Sequence, residues 1–160
     1  MRLLSNLFGR GELVLSDASP RDAAAIAALH GKSFRRGWSE QEVEGLLLDC
    51  HVVAHRAGTA GKLAAFIISR LVEDEAEILS VAVMRASQGR GLARKLLDLH
   101  LRRLAGLGAR AVFLEVDEHN KPAIKLYNRA GFREISRRPG YYPVSGGTAT
   151  AALVLRRDLA

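Results

Sequence analysis

The stretch of this chain with the most evident chemistry is Gln88-Gly89-Arg90-Gly91-Leu92-Ala93-Arg94, followed by Lys95. It lies between an apolar run, Ile78-Leu79-Ser80-Val81-Ala82-Val83, and a segment with Leu97, Leu101 and Leu104 at helical spacing. A strand feeding a helix through glycines puts unpaired N–H groups and the positive end of a helix dipole at the loop. Glycine lets the backbone approach an anion closely, and Arg90, Arg94 and Lys95 add full charges. The chemistry implied is phosphate binding. The P-loop pattern is absent, and Arg94 stands where a dinucleotide fingerprint needs its third glycine. Taken alone, the residues fit a plain glycine-rich turn equally well. Glu115 at a strand end and Tyr127 in a short helix add a carboxylate and a phenol. Alone, they read as a surface carboxylate and a core aromatic.

The elements that must position these groups follow from local signals. Glu12–Leu15 is a short strand, and Ser19-Pro20-Arg21-Asp22 opens a helix that Ala23–Leu29 continues. Ser39-Glu40-Gln41-Glu42 is a capping box for a second helix through about Leu48. Between them Phe34-Arg35-Arg36-Gly37-Trp38 is a loop. Strands follow over Val52–Arg56, Leu63–Leu71 and Ile78–Val83, separated by turns at Gly58-Thr59-Ala60-Gly61 and Glu73-Asp74-Glu75. The third helix stops at Gly106 and Gly108, and Ala111–Val116 is a strand. A short helix over Ala123–Ala130 closes at Gly131, and Phe132–Ile135 starts another strand. Gly140-Tyr141-Tyr142-Pro143 and Ser145-Gly146-Gly147 read as a loop, and Thr150–Leu155 as the last strand. Three consecutive strands imply an antiparallel meander, and the two later helices imply crossovers. The fold class is mixed α/β.

The 160 residues suit one core, with residues 1–11 as a flexible N-terminal segment and 12–160 as a single domain. The N-terminal apolar stretch is too short for a secretory signal, and no apolar run approaches the roughly 20 residues that span a bilayer. The lone Cys50 allows no internal disulfide, fits a cytoplasmic setting, and is expected to be buried and non-catalytic. No Cys/His cluster has zinc spacing, and His51 and His55 sit in a segment read as strand, so no metal is expected. The +7 net charge is scattered in short clusters without aromatic interleaving. It favours a small polyanion over nucleic acid.

These residues resemble the GNAT superfamily of N-acetyltransferases. Gln88-Gly89-Arg90-Gly91-Leu92-Ala93 fits the family's Gln/Arg-x-x-Gly-x-Gly/Ala acetyl-CoA loop. Leu114-Glu115-Val116 with Asn120, then Ala123-Ile124-Lys125-Leu126-Tyr127, Gly131-Phe132 and Tyr141-Tyr142-Pro143, resemble its ribosomal-protein-alanine N-acetyltransferase branch, as does Trp38-Ser39-Glu40. The sequence departs from the pattern at Met84-Arg85-Ala86 and at Ala151, where the branch often has an acid.

The resemblance implies a mostly antiparallel mixed sheet of about seven strands flanked by about four helices. It implies an acetyl-CoA-dependent N-acyltransferase needing no metal. Cofactor contacts would come from Val81, Ala82 and Val83, from Gln88, Gly89, Arg90, Gly91, Leu92, Ala93 and Arg94, and from Asn120. Asn120 also reads as a helix N-cap. Glu115 matches the family's general base and Tyr127 its general acid. Trp38, Tyr141 and Tyr142 match positions lining an acceptor groove. The implied acceptor is a protein or peptide N-terminus, a ribosomal protein among the candidates, with no membrane partner. The alternatives are a lysine or small-molecule amine acetyltransferase and, more remotely, a non-catalytic CoA- or nucleic-acid-binding module.

Overall fold

The computed structural model describes residues 12–59, 61–142 and 150–159, without the side chains of 141 and 142. Seven strands form one sheet in the order β1-β2-β3-β4-β5-β7-β6. They are β1 (Val14–Asp17), β2 (Val52–Thr59), β3 (Lys62–Val72), β4 (Glu75–Val83), β5 (Ala111–Asp117), β6 (Arg133–Tyr142) and β7 (Thr150–Asp158). The helices are α1 (Ala23–Ser33), α2 (Glu40–Leu48), α3 (Leu92–Gly106) and α4 (Lys121–Arg129). Every strand pair is antiparallel except β4–β5.

The expected meander is β1 through β4. Helix α3 carries the chain from β4 to its parallel neighbour β5. Helix α4 crosses from β5 to β6, and β7 then inserts between them.

In β3, Phe66 and Ile68 pack with Ile26 and Val43 beneath α1 and α2, while Ile67 packs with Leu96, Leu101 and Leu104 of α3. Alternation along a strand buried on both faces produces this division. Leu114, Val116, Leu153 and Leu155 belong to the α3 side, so Glu115 of β5 points to the opposite face.

Local signals set the helix ends. Ser39 Oγ accepts from the Glu42 amide at 3.1 Å, and Glu42 Oε2 accepts from the Ser39 amide at 2.9 Å. Ser19-Pro20 opens a 3-10 turn (Pro20–Asp22) ahead of α1, with the Ser19 amide donating to Asp22 Oδ2. Helix α1 runs on through Gly31 to Ser33, past the expected end at Leu29.

Three expectations require correction. Cys50 is exposed, because it sits in the turn between α2 and β2 rather than on a packed face. His51 belongs to that turn too, and β2 starts at Val52. Gly140, Tyr141 and Tyr142 extend β6 instead of forming a loop. β6 is an edge strand, where Pro139 sacrifices no interior ladder bond, and register shifts beside Glu134 and Arg138 absorb the irregularity. The expectations for residues 1–11, Ala60, Pro143 and the Ser145-Gly146-Gly147 loop fall outside the described residues. Among the described residues, no helix is long and apolar enough to cross a membrane.

Candidate functional site

β4 and β5 pair only over Glu75–Glu77 against Ala111–Phe113. From Ile78 onward the two strands part, and the sheet opens towards their C-terminal ends. Two clefts occupy the opening. The first, about 690 Å³, is lined by Val81–Val83, Gln88, Gly89, Gly91–Arg94, Asn120 and Tyr127, among others. The second, about 750 Å³, is lined by the C-terminal half of β4, Phe34–Arg36, Glu115 and Asp117. Val81–Val83, Gln88, Asn120, Ala123 and Tyr127 line both.

The first cleft is built for an extended, polyanionic ligand. Val81–Val83 pair with β3 on one side, and their edge facing β5 lies beyond the paired stretch, where it can offer ladder hydrogen bonds to an amide-bearing chain. The glycines follow. Gly89 and Gly91 have φ of +80° and +73°, and Gly91 is the N-cap of α3. Both φ values lie where a Cβ is strained, which explains glycine at these two positions. The Gln88 side chain donates to the Val83 carbonyl at 3.1 Å and ties the loop to the strand. Arg94 pairs with Asp98 one turn later at 3.0 Å and still lines the cleft. Arg90 is exposed and does not line it. Met84-Arg85-Ala86, the departure from the family loop, leads into and starts a 3-10 turn (Arg85–Ser87) before the glycines.

Asn120 caps α4 through its Oδ1, which accepts from the Ala123 amide at 3.3 Å, while its residue lines both clefts. Tyr127, in the second turn of α4, meets Phe132 edge-on with ring centroids 5.6 Å apart. Burial pushes its phenol up from 10.0 to about 12. Glu115 stands across the opening, and its Oε1 lies 3.0 Å from Nη1 of Arg138 on β6.

Trp38 stacks on buried His30, ring centroids 4.1 Å apart, and its amide donates to His30 Nδ1 at 3.0 Å. An accepting Nδ1 requires a neutral imidazole, in line with the lowered pKa that burial gives His30 against the opposing pull of Glu42. Phe34 stacks on His30 at 4.4 Å and lines the second cleft, which Trp38 does not. Trp38 therefore supports the cleft wall through His30. Tyr141 and Tyr142 end β6, with Tyr142 opposite Thr150.

Sequence reasoning passed over five contributors. Arg35 and Arg36 were visible as a short basic cluster, but their place in the second cleft was not. Ser80 lines that cleft, and its Oγ is buried without a hydrogen-bond partner among the described residues, a polar atom a ligand would satisfy. Arg138 reaches Glu115 across an intervening strand, which no local motif signals. Glu118 brings a carboxylate to Ala151, where the resembling branch often has an acid: the Ala151 amide donates to Glu118 Oε1 at 3.0 Å. Away from both clefts, Asp49, Cys50 and His51 bring one ligand atom each within 4.8 Å of one another at the α2–β2 turn. Asp49 is already engaged there, accepting from the His51 amide and pairing with Arg70.

The profile of the Acetyltransferase (GNAT) family matches residues 23–132. The chain is 39% identical over 94 residues to the ribosomal protein bS18-alanine N-acetyltransferase of Escherichia coli, covering 59% of this chain and 64% of that protein. The chain thus spans somewhat under two thirds of the length of that curated relative. An uncharacterized protein of Mycobacterium leprae is 36% identical over 154 residues, 91% of this chain and 41% of its own length. Among solved structures, the ribosomal-protein-S18-alanine N-acetyltransferase from Escherichia coli superposes with a TM-score of 0.85 at 29% identity, covering 93% of this chain and 95% of that one. Arabidopsis thaliana NAA60 in complex with acetyl-CoA shares the fold, with a TM-score of 0.81 at 21% identity over 92% of this chain and 98% of its own.

Proposed function

The chain belongs to the Acetyltransferase (GNAT) family, and from that premise we propose that it transfers the acetyl group of acetyl-CoA directly to the N-terminal α-amine of a protein. The observation that carries this reading is the meeting of two clefts at Tyr127, the glycine loop in one and Glu115 in the other.

In this reading the first cleft holds acetyl-CoA. The pyrophosphate lies against the loop amides of 88–93 and the N-terminus of α3, with Arg94 beside it. The pantetheine arm runs along Val81–Val83, and the thioester ends near Tyr127. The acceptor enters the second cleft. Glu115 takes a proton from the amine, directly or through water, so that nitrogen can attack the carbonyl carbon. The C–N bond forms and the C–S bond breaks. Tyr127 donates to the sulfur as negative charge grows there, and solvent returns its proton. The burial that raises the phenol also raises a thiolate leaving into the same cleft, which keeps the two closer to balance than in water.

The bS18-alanine N-acetyltransferase relatives support an α-amine acceptor, a ribosomal protein among the candidates. A cytoplasmic setting suits such a substrate. The test combines acetyl-CoA with peptides that each carry a free N-terminus and an internal lysine. Fragmentation mass spectrometry then locates the acetyl group. Acetyl on the α-amine supports the proposal. Acetyl on lysine replaces it with a lysine acetyltransferase.

A further inference from the structure

We infer that the acceptor carries a carboxylate close to its reactive amine and that Arg138 selects it. The inference rests on the α-amine reading above and names the substrate class of that same site.

The starting point is the ion pair between Glu115 and Arg138, 3.0 Å apart. The register explains how residues two strands apart meet. Ala152 of β7 pairs with Asp117 of β5 on one side and with Arg138 of β6 on the other. Paired residues share a face, and Glu115 lies two residues from Asp117 on that same face. On β7, Ala152 stands opposite Asp117 and Arg138, and Val154 stands opposite Glu115. The arginine side chain reaches Glu115 across β7.

The second cleft therefore gathers Glu115 and Asp117 with three cations, Arg35, Arg36 and Arg138. An acceptor bringing only an ammonium group must compete with Arg138 for Glu115. An acceptor bringing an amine and a nearby carboxylate meets an opposite charge with each. Its amine meets Glu115, and its carboxylate takes the planar guanidinium fork of Arg138. Backbone dimensions put the required spacing at roughly 3–7 Å, the reach of an Asp or Glu side chain at the first or second residue. A basic second residue instead meets Arg35 and Arg36.

The test uses three peptides with N-terminal alanine that differ only at the second residue, which is Asp, Asn or Lys. A charge-assisted hydrogen bond at this strength gives about tenfold higher kcat/KM for the Asp peptide over the Asn peptide, and the Lys peptide ranks lowest. Raising the salt concentration narrows the preference. In Arg138→Gln the Asp-to-Asn ratio falls to about one, chiefly through KM of the Asp peptide, and Arg138→Lys restores part of it. A purely structural Arg138 would lower Tm and slow all three peptides together with the ratio unchanged. That result, or a wild-type enzyme that acetylates the peptides without charge preference, overturns the inference and leaves the α-amine reading standing. Acetylation of none of the α-amines overturns both.

Discussion

His55 Nδ1 lies 2.7 Å from His100 Nδ1, joining β2 to α3 through two buried imidazoles. One nitrogen must donate and the other accept. Ser69 Oγ sits 2.6 Å from His100 Nε2, and His55 Nε2 sits 3.3 Å from Asp17 Oδ1. The chain Asp17–His55–His100–Ser69 thus runs from an exposed carboxylate to a fully buried hydroxyl.

Burial holds the His100 pKa down at about 3, with His55 reinforcing it. Burial also lowers His55, where Asp17 opposes the shift and Arg103 adds to it. His100 stays neutral in the fold down to about pH 3 and burial disfavours protonation of His55, whereas both take up protons near pH 6.5 once unfolded. Their stabilisation is complete above that pH and is lost as pH falls below it. Each unit of acidification below pH 6.5 costs up to about 1.4 kcal/mol through His100, roughly 3–6 °C in Tm, and His55 adds in the same direction. Melting curves between pH 7.5 and 5 should show this slope, and His100→Gln should flatten it while lowering Tm at pH 7.5. A variant that keeps the wild-type slope would place the titration elsewhere.

This histidine pair marks where the sequence stops being legible. The Ser39 capping box and the glycine loop are local signals, complete within a few residues, and both form as read. The continuous apolar run Ala64-Ala65-Phe66-Ile67-Ile68 likewise fits a strand buried on both faces. His55 and His100 are 45 residues apart, and their meeting depends on how α3 lies across β2. Arg138 meets Glu115 across β7, which inserts between β5 and β6. The extension of β6 through Pro139 has the same origin. Proline and glycine read locally as a loop, while the long partner strand β7 and an edge position override them.

The glycine loop yields a prediction in which the sign depends on φ alone. A Cβ at Gly91 or at Gly45 would meet nothing within 4 Å. Gly91 is left-handed, at φ +73°, so Gly91→Ala should cost about 1–2 kcal/mol. Gly45 lies inside α2, so Gly45→Ala should stabilise by about 0.5–1 kcal/mol. Opposite shifts in Tm, with weaker acetyl-CoA binding for Gly91→Ala alone, are the expected outcome. Equal shifts would show that the loop does not depend on the left-handed residue.

Glu115→Gln keeps the shape of the side chain and removes its ability to accept a proton. As the base, Glu115 should be worth about 100-fold in kcat near neutral pH, the lower end of what a positioned base contributes. The deficit should shrink above about pH 8, where α-amines lose their own proton. Acetyl-CoA should still stabilise the variant by about 2.7 kcal/mol at 100 times its dissociation constant. A pH profile of kcat beside a thermal shift separates the effects. Wild-type turnover at pH 7 would remove Glu115 from proton transfer.

Tyr127→Phe removes one oxygen and leaves the edge-on contact with Phe132 in place. Stability should therefore change by no more than about 1 kcal/mol. With the phenol held near 12, wild-type Tyr127 stays protonated through the working range, so it contributes no alkaline limb to kcat below about pH 11. The variant should lose about 100-fold in kcat and little in KM for either substrate, because the hydroxyl acts as charge leaves with the sulfur. A thioester whose thiol is more acidic than CoA should recover part of the loss, since its leaving group needs less help. Rates at wild-type level with acetyl-CoA, or an equal loss for both thioesters, would assign Tyr127 to packing at the junction of the two clefts.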